Sequence, residues 1–209
     1  MLKIVLFLST LLLAVQARPV SYAGGWTLMS QNNWESSVLH YHYSPTAFES
    51  FGISLENYNE SDRYDTNLQF NKLLKRKNTR TSQANLYLKT KAGLAFEGNN
   101  EYFNSHLGLA ADWETRRYFT SYETALHYSD DLDNGSFHQQ ARVGIAPYIG
   151  EFGDLHTWFM LQVEHHPEEE LDSEKFIITP LVRFFKGAYL TEFGVNSNGN
   201  AMINLIIRF

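Results

Sequence analysis

There is no cysteine anywhere in the 209 residues, which removes disulfide scaffolds and cysteine-based zinc or iron–sulfur sites. Positive charge is scarce too. Seventeen Lys and Arg against 23 Asp and Glu leave a net charge of -6, whereas a nucleic-acid binder needs a basic stripe to neutralise phosphates. No nucleic-acid partner is therefore expected. Beyond the first seventeen residues the chain lacks any run of 18 apolar residues, so a helical membrane protein is ruled out. A membrane barrel escapes that scan, because its strands alternate apolar and polar side chains. Disorder is excluded by the 44% hydrophobic content, and the length fits one domain with a core of its own.

What is present begins with an export pattern. MLKIVLFLSTLLLAVQA has a short leading region with Lys3, an apolar stretch from Ile4 to Val15 and a Val-Gln-Ala ending. This predicts a cleavable secretory signal over residues 1–17, cut between Ala17 and Arg18. The apolar stretch is short of the roughly 20 residues that a spanning helix requires. Residues 18–209 are then the mature domain.

From about residue 25 one pattern recurs: roughly ten residues of period-two alternation, then a cluster of Gly, Asn, Asp, Ser or Pro. Twelve such segments fall near 25–31, 36–44, 48–57, 63–75, 81–97, 101–113, 116–128, 137–149, 155–166, 176–185, 188–196 and 200–209. One all-β domain follows. Strands filling more than half of a chain are unusual for a soluble domain, and a closed barrel accounts for the excess.

One phase of the alternation is apolar, with runs such as Phe51, Ile53, Leu55 and Ala141, Val143, Ile145. The opposite phase carries Lys89, Lys91, Arg117, Glu123, Arg142, Glu164, Arg183, Glu192 and Arg208, together with several histidines. A lipid-facing charge costs about 2–4 kcal/mol at the bilayer midplane, so a membrane barrel must keep one face free of charge. Loop lengths add a second signal. With both termini in the periplasm, the odd-numbered connections face outward. These include the acidic stretches at 57–62, 129–136 and 167–175, whereas even-numbered connections such as Ser44-Pro45-Thr46 and Lys186-Gly187 are tight. Long outer loops with short periplasmic turns mark an outer-membrane barrel.

The chain ends AMINLIIRF, with Ile203, Leu205, Ile207 and the terminal Phe209 on one face. This resembles the closing strand of Gram-negative outer-membrane proteins, and the resemblance implies recognition by the barrel-assembly machinery. The segments RPVSYAGGWTLM, HYSPTAF, RRYFTSYE, ARVGIAPYIGEFGDLHTWFMLQVEHHPE and TPLVRFFKGAYL are also similar to an uncharacterised group of proteobacterial proteins. That group brings no reaction, ligand or site residue with it.

Three constellations carry candidate chemistry. His127 and Ser129 share a strand face in an H-x-S arrangement similar to that of outer-membrane lipid hydrolases, in which an imidazole deprotonates a hydroxyl for attack on an ester, with Glu123 as the nearest orienting acid. Ser129 is equally an ordinary first residue of a turn. His40 and His42, and Glu164 with His166, are paired at i and i+2 and offer ligands for zinc or copper; strand-end histidines in a polar lumen are the plainer account. The inward Arg, Lys and Glu set would line a passage and favour anionic solutes, or else would close it as a salt-bridged plug.

The sequence thus predicts a closed antiparallel transmembrane β-barrel of about twelve strands (ten to twelve) in the outer membrane. The favoured role is a narrow channel or small-solute passage protein. Alternatives are a lipid hydrolase using His127 and Ser129, a metal-binding or purely structural surface barrel, and a soluble periplasmic β protein. Expected partners are outer-membrane lipid, the assembly machinery and small anionic solutes; no cofactor is implied.

Overall fold

The computed structural model describes residues 18–131, 135–151, 153–168, 171 and 175–209. The expected signal segment at 1–17 lies outside the described residues, as do parts of the acidic stretches at 129–136 and 167–175.

Alternation along each segment becomes a strand. In order these are β1 (Gly25–Asn32), β2 (Ser36–Thr46), β3 (Glu49–Tyr58), β4 (Arg63–Asn78), β5 (Ser82–Glu97), β6 (Asn100–Thr115), β7 (Tyr118–Ser129), β8 (Ser136–Ile145), β9 (His156–His165), β10 (Phe176–Lys186), β11 (Tyr189–Val195) and β12 (Ala201–Arg208). Each pairs antiparallel with its sequence neighbours, and β1 pairs with β12, so the sheet closes into a twelve-stranded barrel. Closure leaves no exposed edge. At the seam Thr27 faces Arg208 and Leu28 faces Ile207. The Trp26 amide donates to the Phe209 backbone oxygen at 2.6 Å, and the Phe209 amide returns a bond of 3.0 Å to Trp26. Phe209 is thus part of the closure, and the start of β1 and the end of β12 lie at one end of the barrel, called here the terminal end.

The two faces divide cleanly. Leu39, Ile53, Leu68, Leu107, Leu126, Val143, Phe159, Ile178, Phe193 and Leu205 point outward and are exposed. Aromatic rings ring both rims of this belt. Trp26, Tyr41, Trp113, Tyr118, Tyr189 and Phe209 lie at the terminal end, and Tyr64, Phe103, Tyr128 and Phe176 at the other. Trp26 stacks on Tyr41 with ring centroids 4.9 Å apart. Polar residues occupy the buried inner face, among them Asn67, Gln69, Asn85, Gln162 and Asn204.

The apolar core is small and split. Phe119, Met160, Leu181 and Met202 form one inner cluster, Met29, Leu190 and Ile206 a second, and Val20, Leu73 and Tyr87 a third. The wall is uneven: β4, β5 and β6 run 16 residues, whereas β11 runs 7 and β12 and β1 run 8. A bulge between Leu73 and Lys75 lets β4 continue without breaking its inner face, because the extra residue, Leu74, is exposed while Leu73 stays buried. Two inward glycines permit close approach of strands. A Cβ on Gly52 would meet the Tyr41 carbonyl at 2.2 Å, and one on Gly93 would meet that of Thr66 at 2.0 Å.

Candidate functional site

The lumen is the natural place for function, and ion pairs organise it. Lys89 on β5 pairs with Glu123 on β7, and Lys91 reaches Glu56 on β3 at 3.7 Å. Deeper in the opposite wall, Glu192 on β11 is 1% exposed. It accepts from Arg183 Nε at 2.6 Å, from Arg142 Nη1 at 3.2 Å and from Asn204 Nδ2 at 2.8 Å. Two guanidiniums sharing one carboxylate leave one net positive charge in this corner, with the acceptor lone pairs of Glu192 satisfied.

Two cavities run through the interior. One, about 250 Å³, occupies the terminal half and is lined by Pro19, His42, Asn71, Asp112, Phe119 and Arg183 among others. The second, about 440 Å³, opens the other half and is lined by residues including Glu35, Arg63, His127, Glu164 and His166. Both touch the same layer of Lys89, Lys91, His106, Glu123, Gln140 and Arg142. The two chambers therefore abut at the level of the Lys89–Glu123 pair.

At the terminal end the chain that precedes β1 folds back into the barrel. Arg18 and Val20 are buried. Arg18 pairs with Glu114, its carbonyl lies 3.4 Å from Arg208 Nη2, and the Pro19 carbonyl accepts from Ser50 Oγ at 2.6 Å. The Ser21 amide donates to Ser44 Oγ at 2.9 Å, and Val20 packs on Leu73 and Tyr87. Residues 18–23 are thus a strap across the terminal mouth, tied to at least five strands.

The residues singled out from the sequence are distributed as follows. Lys89, Lys91, Glu123 and Arg142 line the layer where the chambers meet, Arg183 lines the terminal chamber and Glu164 the other, Glu192 lies behind Arg142 and Arg183, and Arg208 borders the strap. Arg117 is a correction. It is exposed in the turn between β6 and β7, where its carbonyl accepts from the Ala146 amide at 2.9 Å. Its parity matches that of the inward Phe119, but β7 begins only at Tyr118, so the alternation ends before reaching it.

The hydrolase geometry does not assemble. The Ser129 hydroxyl donates to Asp131 and accepts from Arg63 Nη2 at 3.1 Å, inside a cluster in which Arg63 also pairs with Asp65 at 3.0 Å. Among the described residues no hydrogen bond joins Ser129 to His127, and Glu123 is engaged by Lys89. The Ser129 hydroxyl is instead taken up by the Arg63–Asp131 cluster, which leaves it facing a guanidinium and a carboxylate rather than an imidazole.

The metal candidates separate into two places. His40 and His42 sit on β2, where His40 Nδ1 bonds Gln69 Oε1 at 2.9 Å and neither ring nitrogen of His42 has a partner among the described residues. Glu164 and His166 lie five strand positions away around the wall. There His138 of β8 joins them, and one donor atom from each of the three falls within 4.8 Å of the others. Pairing of Gln140 with Glu164 and of Gln139 with His165 brings His138 level with His166. The sequence places His138 on the polar face but not beside its partners, since that requires the β8–β9 register. Beyond the end of β9, burial and then the nearby His138 and His165 lower the His166 pKa to about 4, so its imidazole is neutral at pH 7.

No family model matches the sequence, and no curated protein matches it; the resemblance to the proteobacterial group therefore stands without a matching family model. Solved structures with similar folds include the KdgM porin in complex with disordered oligogalacturonate, at 9% identity over 88% of this chain and 98% of that chain, with a TM-score of 0.49. OccAB4 from Acinetobacter baumannii is similar at 10% identity over 83% of this chain and 52% of that one, with a TM-score of 0.43. LpxR from Salmonella typhimurium is similar at 11% identity over 88% and 99%, with a TM-score of 0.46. At such identities the likeness concerns the course of the chain and assigns no activity.

Proposed function

We propose that this chain is an integral outer-membrane β-barrel whose lumen passes small solutes along a narrow aqueous path, with small anions favoured. The largely apolar exterior between two aromatic rims, to which the Lys72–Glu49 pair and Gln139 are polar exceptions, supports the membrane setting, since a wall facing water would have no need to keep charge so scarce on that face. A barrel of twelve strands is wide enough for an aqueous path unless side chains fill it. The observation that carries the permeation reading is the layer shared by both chambers, because it sets the two cavities end to end rather than leaving two unrelated hollows.

Selectivity follows from the charges on that route. Lys89 and Lys91 are neutralised locally by Glu123 and Glu56, whereas Arg142 and Arg183 together face a single carboxylate. That surplus borders the terminal chamber and draws anions there, as charged constrictions do in selective pores, whereas Asp65, Glu164 and Glu168 make the lining of the other chamber more acidic. The strap at residues 18–23 narrows the terminal chamber and restricts passage to small solutes.

Planar-bilayer recording tests this reading. Folded protein is expected to give discrete unitary currents, with a reversal potential in a salt gradient of anion-selective sign that shifts toward cation selectivity in Arg142→Ala. Electrically silent membranes containing folded protein would contradict it.

A further inference from the structure

We propose that His138, Glu164 and His166 form a binding site for a divalent transition-metal ion of the zinc class, set in the wall of the chamber farther from the chain termini. Two imidazoles and a carboxylate supply three donors within 4.8 Å of one another, from β8, from β9 and from the residue that follows β9, the two strands being held in fixed register. That spacing exceeds the roughly 3.4 Å between donors that metal–nitrogen distances near 2.1 Å impose on a tetrahedral site. A closure of at most about 1.4 Å by side-chain rotation would bring the set to bonding distance.

A further observation points to a ligand. His166 is 8% exposed, and its Nε2 is buried without a hydrogen-bond partner among the described residues. A buried nitrogen left unpaired is unfavourable, and an ion between the rings would remove that cost. The His138 and His166 rings approach to 4.7 Å between centroids with an interplanar angle of 40°. Trp34 meets the His166 ring edge-on at 5.6 Å, and the His166 amide donates to the Lys175 carbonyl at 2.9 Å, so the ring is oriented from behind.

Chemistry sets the class of ion. Imidazole with one carboxylate suits zinc, copper or nickel, whereas calcium and magnesium prefer all-oxygen shells. Three protein donors leave a fourth position open to the chamber, which supplies water to fill it. Binding of the ion requires no permeation, so it stands apart from the channel reading.

Calorimetric titration of the folded full chain in detergent with zinc chloride, paired with the absorption of bound cobalt, tests the site. One ion per chain is expected, with a tetrahedral cobalt spectrum and no displacement by excess magnesium. Affinity is expected to fall roughly tenfold or more in His166→Ala and in His138→Gln, and to persist in the His40→Ala/His42→Ala double variant. Should His166→Ala fail to fold, as judged by its gel mobility before boiling, His138→Gln gives the same reading. Absence of binding by folded wild-type protein would overturn the proposal, as would affinity unchanged by either substitution. Bilayer conductance, recorded separately, bears on the channel alone.

Discussion

Glu192 concentrates more polar interaction than any other inward carboxylate described. Its two oxygens receive Arg183, Arg142 and Asn204 at 2.5–3.3 Å, from three different strands, and almost none of it is exposed. Removing the charge while keeping the shape strands two guanidiniums in the wall without a counter-ion, and breaking a buried pair in this way costs about 3–5 kcal/mol. Glu192→Gln is therefore expected to lower the unfolding free energy by an amount in that range, read from the midpoint and slope of urea unfolding in micelles. An unchanged midpoint would mean that water in the lumen screens the cluster. Sequence alone placed Glu192, Arg142 and Arg183 on one face, but not in one group. Grouping needs the registers of β10 with β11 and of β11 with β12, and those of β8 with β9 and β9 with β10 that carry Arg142 round to them.

At the scale of elements, what was legible followed from the period of two. The twelve strands lie within a few residues of the alternating segments because one face must be apolar throughout, and that constraint is local. The largest overshoot is β8, read from the sequence to residue 149 but ending at Ile145. Tyr148 and Ile149 are exposed apolar residues beyond that end, and Ile149 keeps the parity of Val143 and Ile145 after the chain has left the sheet. The resulting connection, residues 146–155, lies at the terminal end and is the exception to the expectation of short turns there.

The strap was not legible at all. Residues 18–23 follow the cleavage point expected from the sequence and carry no alternation, and only the folded barrel brings Ser44, Ser50, Glu114 and Arg208 around them. Deleting residues 19–23 is expected to raise unitary conductance by widening the terminal chamber. It also exposes the surface that Val20 covers, a loss of about 1.5–3 kcal/mol for a buried side chain of this size. Conductance equal to that of the intact chain would show that the strap does not narrow the path.

For the molecule as a whole, the account turns on what surrounds the barrel. If hydrocarbon does, charge on the outer face is intolerable where charge on the inner face is routine. Leu205 and Asn204 are sequence neighbours on opposite faces of β12. Leu205→Arg is expected to cost about 2–4 kcal/mol when the residue lies near the bilayer midplane, read as a lowered folding midpoint in lipid vesicles. A soluble protein would instead gain solubility from that substitution at an exposed site.

The most direct test uses the four tryptophans. Trp26 and Trp113 are outward and 39% and 40% exposed, whereas Trp34 packs on His166 and Trp158 on Phe119 inside. Single-tryptophan variants folded into vesicles with brominated acyl chains separate the two pairs by fluorescence. Strong quenching of Trp26 and Trp113 with little of Trp34 and Trp158 is the result expected of a barrel set in lipid. Emission from Trp26 and Trp113 indifferent to bromine, in protein shown to be folded, would contradict it.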